Sequence, residues 1–75
     1  MAFSDMVRAS VDGIPVNVPK SATSADLINA VGQNPDTRNL VLCNDDQTIE
    51  YVPRYRRIKP KNGQRFETEI ASSGG

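Results

Sequence analysis

VRASVDGIPVNV, residues Val7–Val18, alternates apolar and polar side chains on either side of a single Asp-Gly pair. Val7, Ala9 and Val11 precede the pair, and Ile14, Val16 and Val18 follow it. Alternation with a period of two lines one face of a strand. Asp12-Gly13 is a pair that tolerates the positive φ angles of a tight turn. The stretch therefore predicts a β-hairpin whose apolar face must be covered by something else. Pro15 has no amide donor, which suits a sheet edge or the start of a strand better than the middle of a central one.

The cover comes next in the chain. Thr23-Ser24-Ala25-Asp26 offers an N-cap hydroxyl with an acidic residue three positions on, and Leu27, Ile28 and Val31 follow at helical spacing. Gly32 is placed to end this helix, and Asn34-Pro35-Asp36 prevents its resumption. A helix this short does not persist alone, so its apolar face, extended by Ala22 and Ala30, must pack on the hairpin. Leu40-Val41-Leu42-Cys43 predicts a strand flanked on both sides, and Asn44 to Gln47 a turn. Ile49 to Val52 predicts a brief strand stopped by Pro53, and Arg54 to Lys61 a basic loop anchored by Ile58. After the turn at Lys61-Asn62-Gly63, Arg65 to Ile70 alternates again, with Phe66 and Ile70 on one face and Arg65, Glu67 and Glu69 on the other. The expected organisation is one domain over residues 1–70 and a flexible tail over residues 71–75.

Composition narrows the chemistry. Nine Lys and Arg balance nine Asp and Glu, so net charge supplies no general attraction for nucleic acid or an anionic membrane. A 75-residue chain holds one thin core with little room for a deep cleft. Histidine is absent and Cys43 is the sole cysteine, which removes tetrahedral zinc sites, an internal disulfide and histidine-based proton transfer. MAFSDMVRAS lacks the basic and apolar regions of a secretory leader. No apolar run approaches the roughly 20 residues that span a bilayer. These features predict a cytoplasmic protein that is not an enzyme, binds no metal or cofactor, and has protein partners.

A hairpin, a helix, two strands and a last strand followed by Gly74-Gly75 resembles the ubiquitin-like β-grasp family over roughly Val7 to Gly75. VDGIPVNVP, the helix ending at Gly32, LVLC and NGQRFETEI look most like the bacterial ubiquitin-like proteins related to multi-ubiquitin domains. The resemblance implies an α+β fold with a mixed sheet of four to five strands crossed by one helix. It implies activating, conjugating and deconjugating enzymes as partners, together with target proteins, in systems several of which defend bacteria against bacteriophage. By position, Gly75 would be the carboxylate that the activating enzyme adenylates with ATP, and Gly74 the residue that lets the tail enter a narrow channel. Ser72-Ser73 stand where ubiquitin has an arginine-rich tail.

The chemistry explains the glycines. A carboxylate is a poor acyl donor until it becomes an acyl-adenylate, and a cysteine thiolate must then reach the same carbon. Two glycines clear every Cβ from that neighbourhood, and Ala71, Ser72 and Ser73 form a small, polar spacer. A frayed Ser/Gly-rich terminus is the plainer reading of the same residues. Sulphur carriers share the fold and the terminal glycines, with Gly75 becoming a thiocarboxylate. A non-covalent, self-assembling module is the third alternative.

Further candidates lie on the domain. If Leu40 and Leu42 face the helix, Val41 faces the other way. With Arg8, Cys43, Glu67 and Glu69 around it, Val41 is expected to be exposed and to form the candidate partner-binding face; an isolated surface valine is the plainer reading. Lys20, Lys59 and Lys61 are candidate acceptors for the tail of another copy. Arg54-Tyr55-Arg56-Arg57, with Lys59, Lys61 and Arg65, forms a basic cluster that Asp45, Asp46 and Glu50 are placed to offset. An acidic protein neighbour, including another copy of the chain, is favoured over RNA or DNA. Cys43 has no histidine base and is read as a packing residue.

Overall fold

In the computed structural model, which describes residues 5–52 and 57–71, β1 (Met6–Val11) turns back into β2 (Ile14–Pro19) as an antiparallel pair. Ala9 lies opposite Val16, and Val11 opposite Ile14. Asp12 and Gly13 have φ angles of 53° and 80°, the pair of positive values that a type I′ hairpin turn requires. Val7, Ala9, Val11, Val16 and Val18 are all buried, so the period-two pattern marks the covered face. β2 forms one edge of the sheet, where Pro15 and Pro19 are tolerated.

The helix α1 (Ser24–Ala30) is seven residues long. Its N-terminus is a reciprocal capping box. Thr23 Oγ1 accepts the Asp26 amide at 3.3 Å, and Asp26 Oδ2 accepts the Thr23 amide at 2.9 Å. Its C-terminus closes with Gly32 at φ 76°. There the Gly32 amide donates to the Asn29 carbonyl at 2.9 Å and the Gln33 amide to the Ile28 carbonyl at 3.2 Å, the two bonds of a Schellman motif. Two turns between such caps still need packing to persist, and Leu27 and Ile28 supply it against the sheet. Ala22 is buried with them, whereas Ala30 is exposed and lies off the packed face.

The remaining strands are β3 (Arg38–Cys43), β4 (Ile49–Tyr51) and β5 (Arg65–Ile70). The five strands form one mixed sheet in the order β2-β1-β5-β3-β4. β5 occupies the centre, parallel to β1 and antiparallel to β3. β2 and β3 therefore run the same way, joined by the crossover that carries α1. Leu40 and Phe66 complete the core under the helix, with Leu42, Val52 and Ile58 packed at its margin. This is a small α+β domain with one helix packed across a five-stranded mixed sheet, an arrangement compatible with a β-grasp.

The start of one strand is corrected. β3 begins at Arg38 rather than Leu40, because Arg38 and Asn39 pair with Ile70 and Glu69 across the ladder although neither is apolar. Ile70 shares the alternation of Phe66 but, unlike Phe66, is 78% exposed. It lies at the far end of β5, beyond the cover of a two-turn helix that packs on β2 and β3. The loop anchor at Ile58 forms as expected: its amide donates to the Ala22 carbonyl at 3.0 Å, beside an isolated bridge between Thr23 and Arg57. Among the described residues no helix is long and apolar enough to cross a membrane.

Candidate functional site

Gly74, Gly75, Ser72 and Ser73 lie outside the described residues. The point from which they depart is well defined. β1 stops pairing with β5 at Val11 and Phe66, where the Asp12 amide donates to the Phe66 carbonyl at 3.0 Å. The Asp12 carboxylate then takes over from the strand. It accepts the Thr68 amide at 2.9 Å and the Thr68 hydroxyl at 2.6 Å. Arg38 Nη1 donates to the same hydroxyl at 3.4 Å. One step further, the Ala71 amide donates to the Thr37 carbonyl at 2.9 Å. The first residue of the predicted spacer is thus tied to the segment leading into β3 and is half-buried.

The outer sheet face, opposite the helix, carries the second candidate set. Val41, Cys43, Glu67 and Glu69 lie together on β3 and β5, with Val41 opposite Glu67 and Cys43 opposite Arg65. Arg8 alternates with buried Val7 and Ala9 onto the same face of β1, beside Gly63, whose amide donates to the Arg8 carbonyl, at the Cys43 end of β5 and far from Glu69. The expected exposure of Val41 is overturned, since only 2% of its surface is accessible. Its side chain points away from the core cluster but lies between Tyr51 of β4 and Glu67 of β5. Cross-strand neighbours stand only about 4.5–5.5 Å apart, so a small residue between two long ones sits in a trough. The exposed apolar groups nearby are Tyr51 and Ile49, 70% and 52% accessible. A three-residue strand offered too little periodicity to place them on this face.

Cys43 is half-buried, and its thiol donates to Glu67 Oε2 at 3.3 Å. Burial, followed by the hydrogen bond and charge of Glu67, pushes the thiol above its ordinary pKa, and only Arg65 opposes this appreciably. The environment holds the group as a protonated thiol, the less nucleophilic form. Among the described residues, no cluster of three or more His, Cys, Asp or Glu is arranged to hold a metal ion.

The lysines form the third set. Lys20, from the end of β2, and Lys59 and Lys61, from the loop before β5, line one open groove of about 560 Å³ together with Arg57. Val7 and Pro60, both buried, contribute its apolar surface. Of the basic run, Arg54, Tyr55 and Arg56 lie outside the described residues; Arg57, Lys59 and Lys61 were expected together, but nothing in the sequence placed Lys20 beside them. The junction is made by the Ile58 to Ala22 hydrogen bond. Arg65, grouped with this cluster by sequence, lies instead on the outer face, 3.6 Å from Asp45.

No family model, curated protein or solved structure matches this chain. Asp45, expected to offset the basic loop, is the partner of Arg65. Asp46 accepts the Thr48 hydroxyl and amide at 2.6 and 3.1 Å, which lowers its pKa below the ordinary value. Glu50 accepts from Asn44 Nδ2 at 3.0 Å. All three are engaged around the β3–β4 turn, although Glu50 still borders a hollow with Arg57, and Asp45 one with Lys61.

Proposed function

We propose that this chain is a ubiquitin-like β-grasp protein modifier, with Gly75 as the group that is activated and transferred. The observation that carries the reading is the position of β5: the strand that leads into Ser72-Ser73-Gly74-Gly75 is the central strand of the sheet. Asp12 and Thr37 hold that strand and the residue after it. A tail leaving so well-held a point projects from a rigid body, which favours presentation of its end to a partner enzyme. The sheet order β2-β1-β5-β3-β4 with one crossing helix supports the same reading.

In this function the Gly75 carboxylate attacks the α-phosphorus of ATP on an activating enzyme, and pyrophosphate leaves. A cysteine thiolate of that enzyme then attacks the acyl carbon and AMP leaves, giving a thioester. An amine or hydroxyl of the target displaces the thiolate. This chain contributes the carboxylate and its access, and the partners contribute the catalytic groups.

The test is incubation of the full chain with ATP and an activating enzyme encoded beside its gene, followed by mass spectrometry. A covalent adduct through Gly75 is expected. Exchange of one oxygen for sulphur would instead assign a sulphur carrier. Full cellular activity after deletion of Gly75 would overturn both covalent readings and leave the non-covalent module.

A further inference from the structure

We infer that the groove between the end of β2 and residues 57–62 is a docking site for an acidic peptide segment of a partner protein, separate from the tail and independent of the tail's chemistry. Lys20, Arg57, Lys59 and Lys61 stand around it, all exposed, and no carboxylate is among its described lining residues. None of the four makes an ion pair among the described residues, whereas Arg65, outside the groove, pairs with Asp45. Glu50 and Asp45 border Arg57 and Lys61 only in neighbouring hollows, so within the groove the positive surplus is local and complementary to an acidic partner.

The walls are built, not merely charged. The Lys20 amide donates to the Asp5 carbonyl at 2.8 Å, and the Ile58 amide to Ala22 at 3.0 Å. The Lys61 amide donates to Gln64 Oε1 at 2.7 Å, and the Arg8 amide to Asn62 Oδ1 at 2.8 Å. These bonds fix the groove and also occupy Lys20, Ile58 and Lys61 amide donors that a phosphate cradle would need. Three of the four cations are lysines, point charges on flexible stems rather than planar forks. Dispersed cations around Val7 and Pro60 suit an extended segment that sets an aliphatic side chain on the floor and carboxylates on either side.

Lys59 adds a second observation. Its φ is 49°, in the left-handed region that glycine and asparagine occupy most easily and that costs other residues about 1 kcal/mol or more. Backbone stability alone would favour asparagine at this position. The lysine supplies a charge at the groove at the expense of local comfort, so Lys59→Asn separates binding from folding.

The test uses the full chain and a fluorescein-labelled peptide, Asp-Glu-Glu-Val-Ile-Glu-Glu-Asp, read by anisotropy and by amide NMR shifts. Shifts are expected at Lys20, Ser21 and residues 57–62, with affinity falling as salt rises from about 50 to about 200 mM. Lys59→Asn is expected to weaken binding about tenfold with a thermal midpoint equal to or above that of the parent. Arg65→Gln, which removes a charge outside the groove, is expected to leave binding unchanged. Absence of shifts at millimolar peptide, shifts centred elsewhere, or equal losses from both variants would overturn the proposal. So would tripolyphosphate acting on the same amides at lower concentration than the peptide, or a salt-sensitive dimer that Lys59→Asn dissolves.

Discussion

Replacing Asp12 by asparagine tests how the tail-bearing strand is held. In the parent chain the carboxylate accepts both the amide and the hydroxyl of Thr68, at 2.9 and 2.6 Å, where β1 has already turned away. Hydrogen bonds to a charged partner contribute about 1.5–3 kcal/mol when protected. Both bonds here are at an exposed site, where the ordinary net value of about 0.5–1 kcal/mol each applies, so their joint contribution is about 1–2 kcal/mol. Asparagine tolerates the φ of 53° at this position and keeps one acceptor, whereas alanine would add a left-handed penalty that obscures the result. The expected loss for Asp12→Asn is about 1 kcal/mol, equivalent to a fall in thermal midpoint of roughly 4–8 °C for a domain of this size. Thr68→Val removes the hydroxyl and keeps the β-branch, and a double-mutant cycle by urea unfolding should give a coupling of about 0.5–1 kcal/mol. Additivity within about 0.3 kcal/mol, or an unchanged midpoint for Asp12→Asn, would refute the idea that the carboxylate extends the ladder.

Val41→Asp buries a carboxylate in the trough between Tyr51 and Glu67, and is expected to destabilise by about 3 kcal/mol or more; a thermal midpoint within error of the parent would restore the exposed placement. Cys43, raised in pKa by burial and then by Glu67, should react with iodoacetamide more slowly than free glutathione at pH 8, and Glu67→Gln should accelerate the reaction. The sign of the linkage follows. A thiol that holds its proton more tightly in the folded state stabilises fully below the unfolded pKa of about 8.5, and that contribution is lost as pH rises through the folded value. Urea midpoints should therefore decline more steeply above that range in the parent than in Cys43→Ser, and parallel declines would exclude the linkage.

Local patterns carried much of the fold into the sequence. Asp12-Gly13 between two alternating runs is sufficient for the hairpin, since turn chemistry and face assignment involve neighbouring residues only. The same holds for Thr23, Asp26 and Gly32, which mark both ends of α1. What failed required knowledge of a distant strand. Val41 does point outward, but its burial depends on Tyr51 and Glu67 lying on either side. Arg38 and Asn39 enter β3 through a partner rather than through apolar character. Lys20 joins Lys59 and Lys61 through the backbone bond from Ile58 and the bridge of Arg57 to Thr23, and Arg65, only four residues after Lys61, turns to Asp45 instead. The role of the Asp12 carboxylate was equally hidden, because a turn residue gives no sign of which strand its side chain will complete.

The central place of β5 has a kinetic consequence. Its neighbours β1 and β3 belong to hairpins made earlier in the chain, and they do not pair with each other. Until residues 65–70 arrive, the β1–β2 and β3–β4 hairpins share no ladder, and the lane between them is empty. Closing that lane joins segments from opposite ends of the domain, the slowest kind of contact to form. Isolated two-stranded hairpins are marginal in water, so neither half of the sheet is expected to be stable until the strand bearing the tail joins them. The segment that presents the tail is the one that completes the sheet, so an incompletely folded molecule would lack a fixed platform from which to offer it.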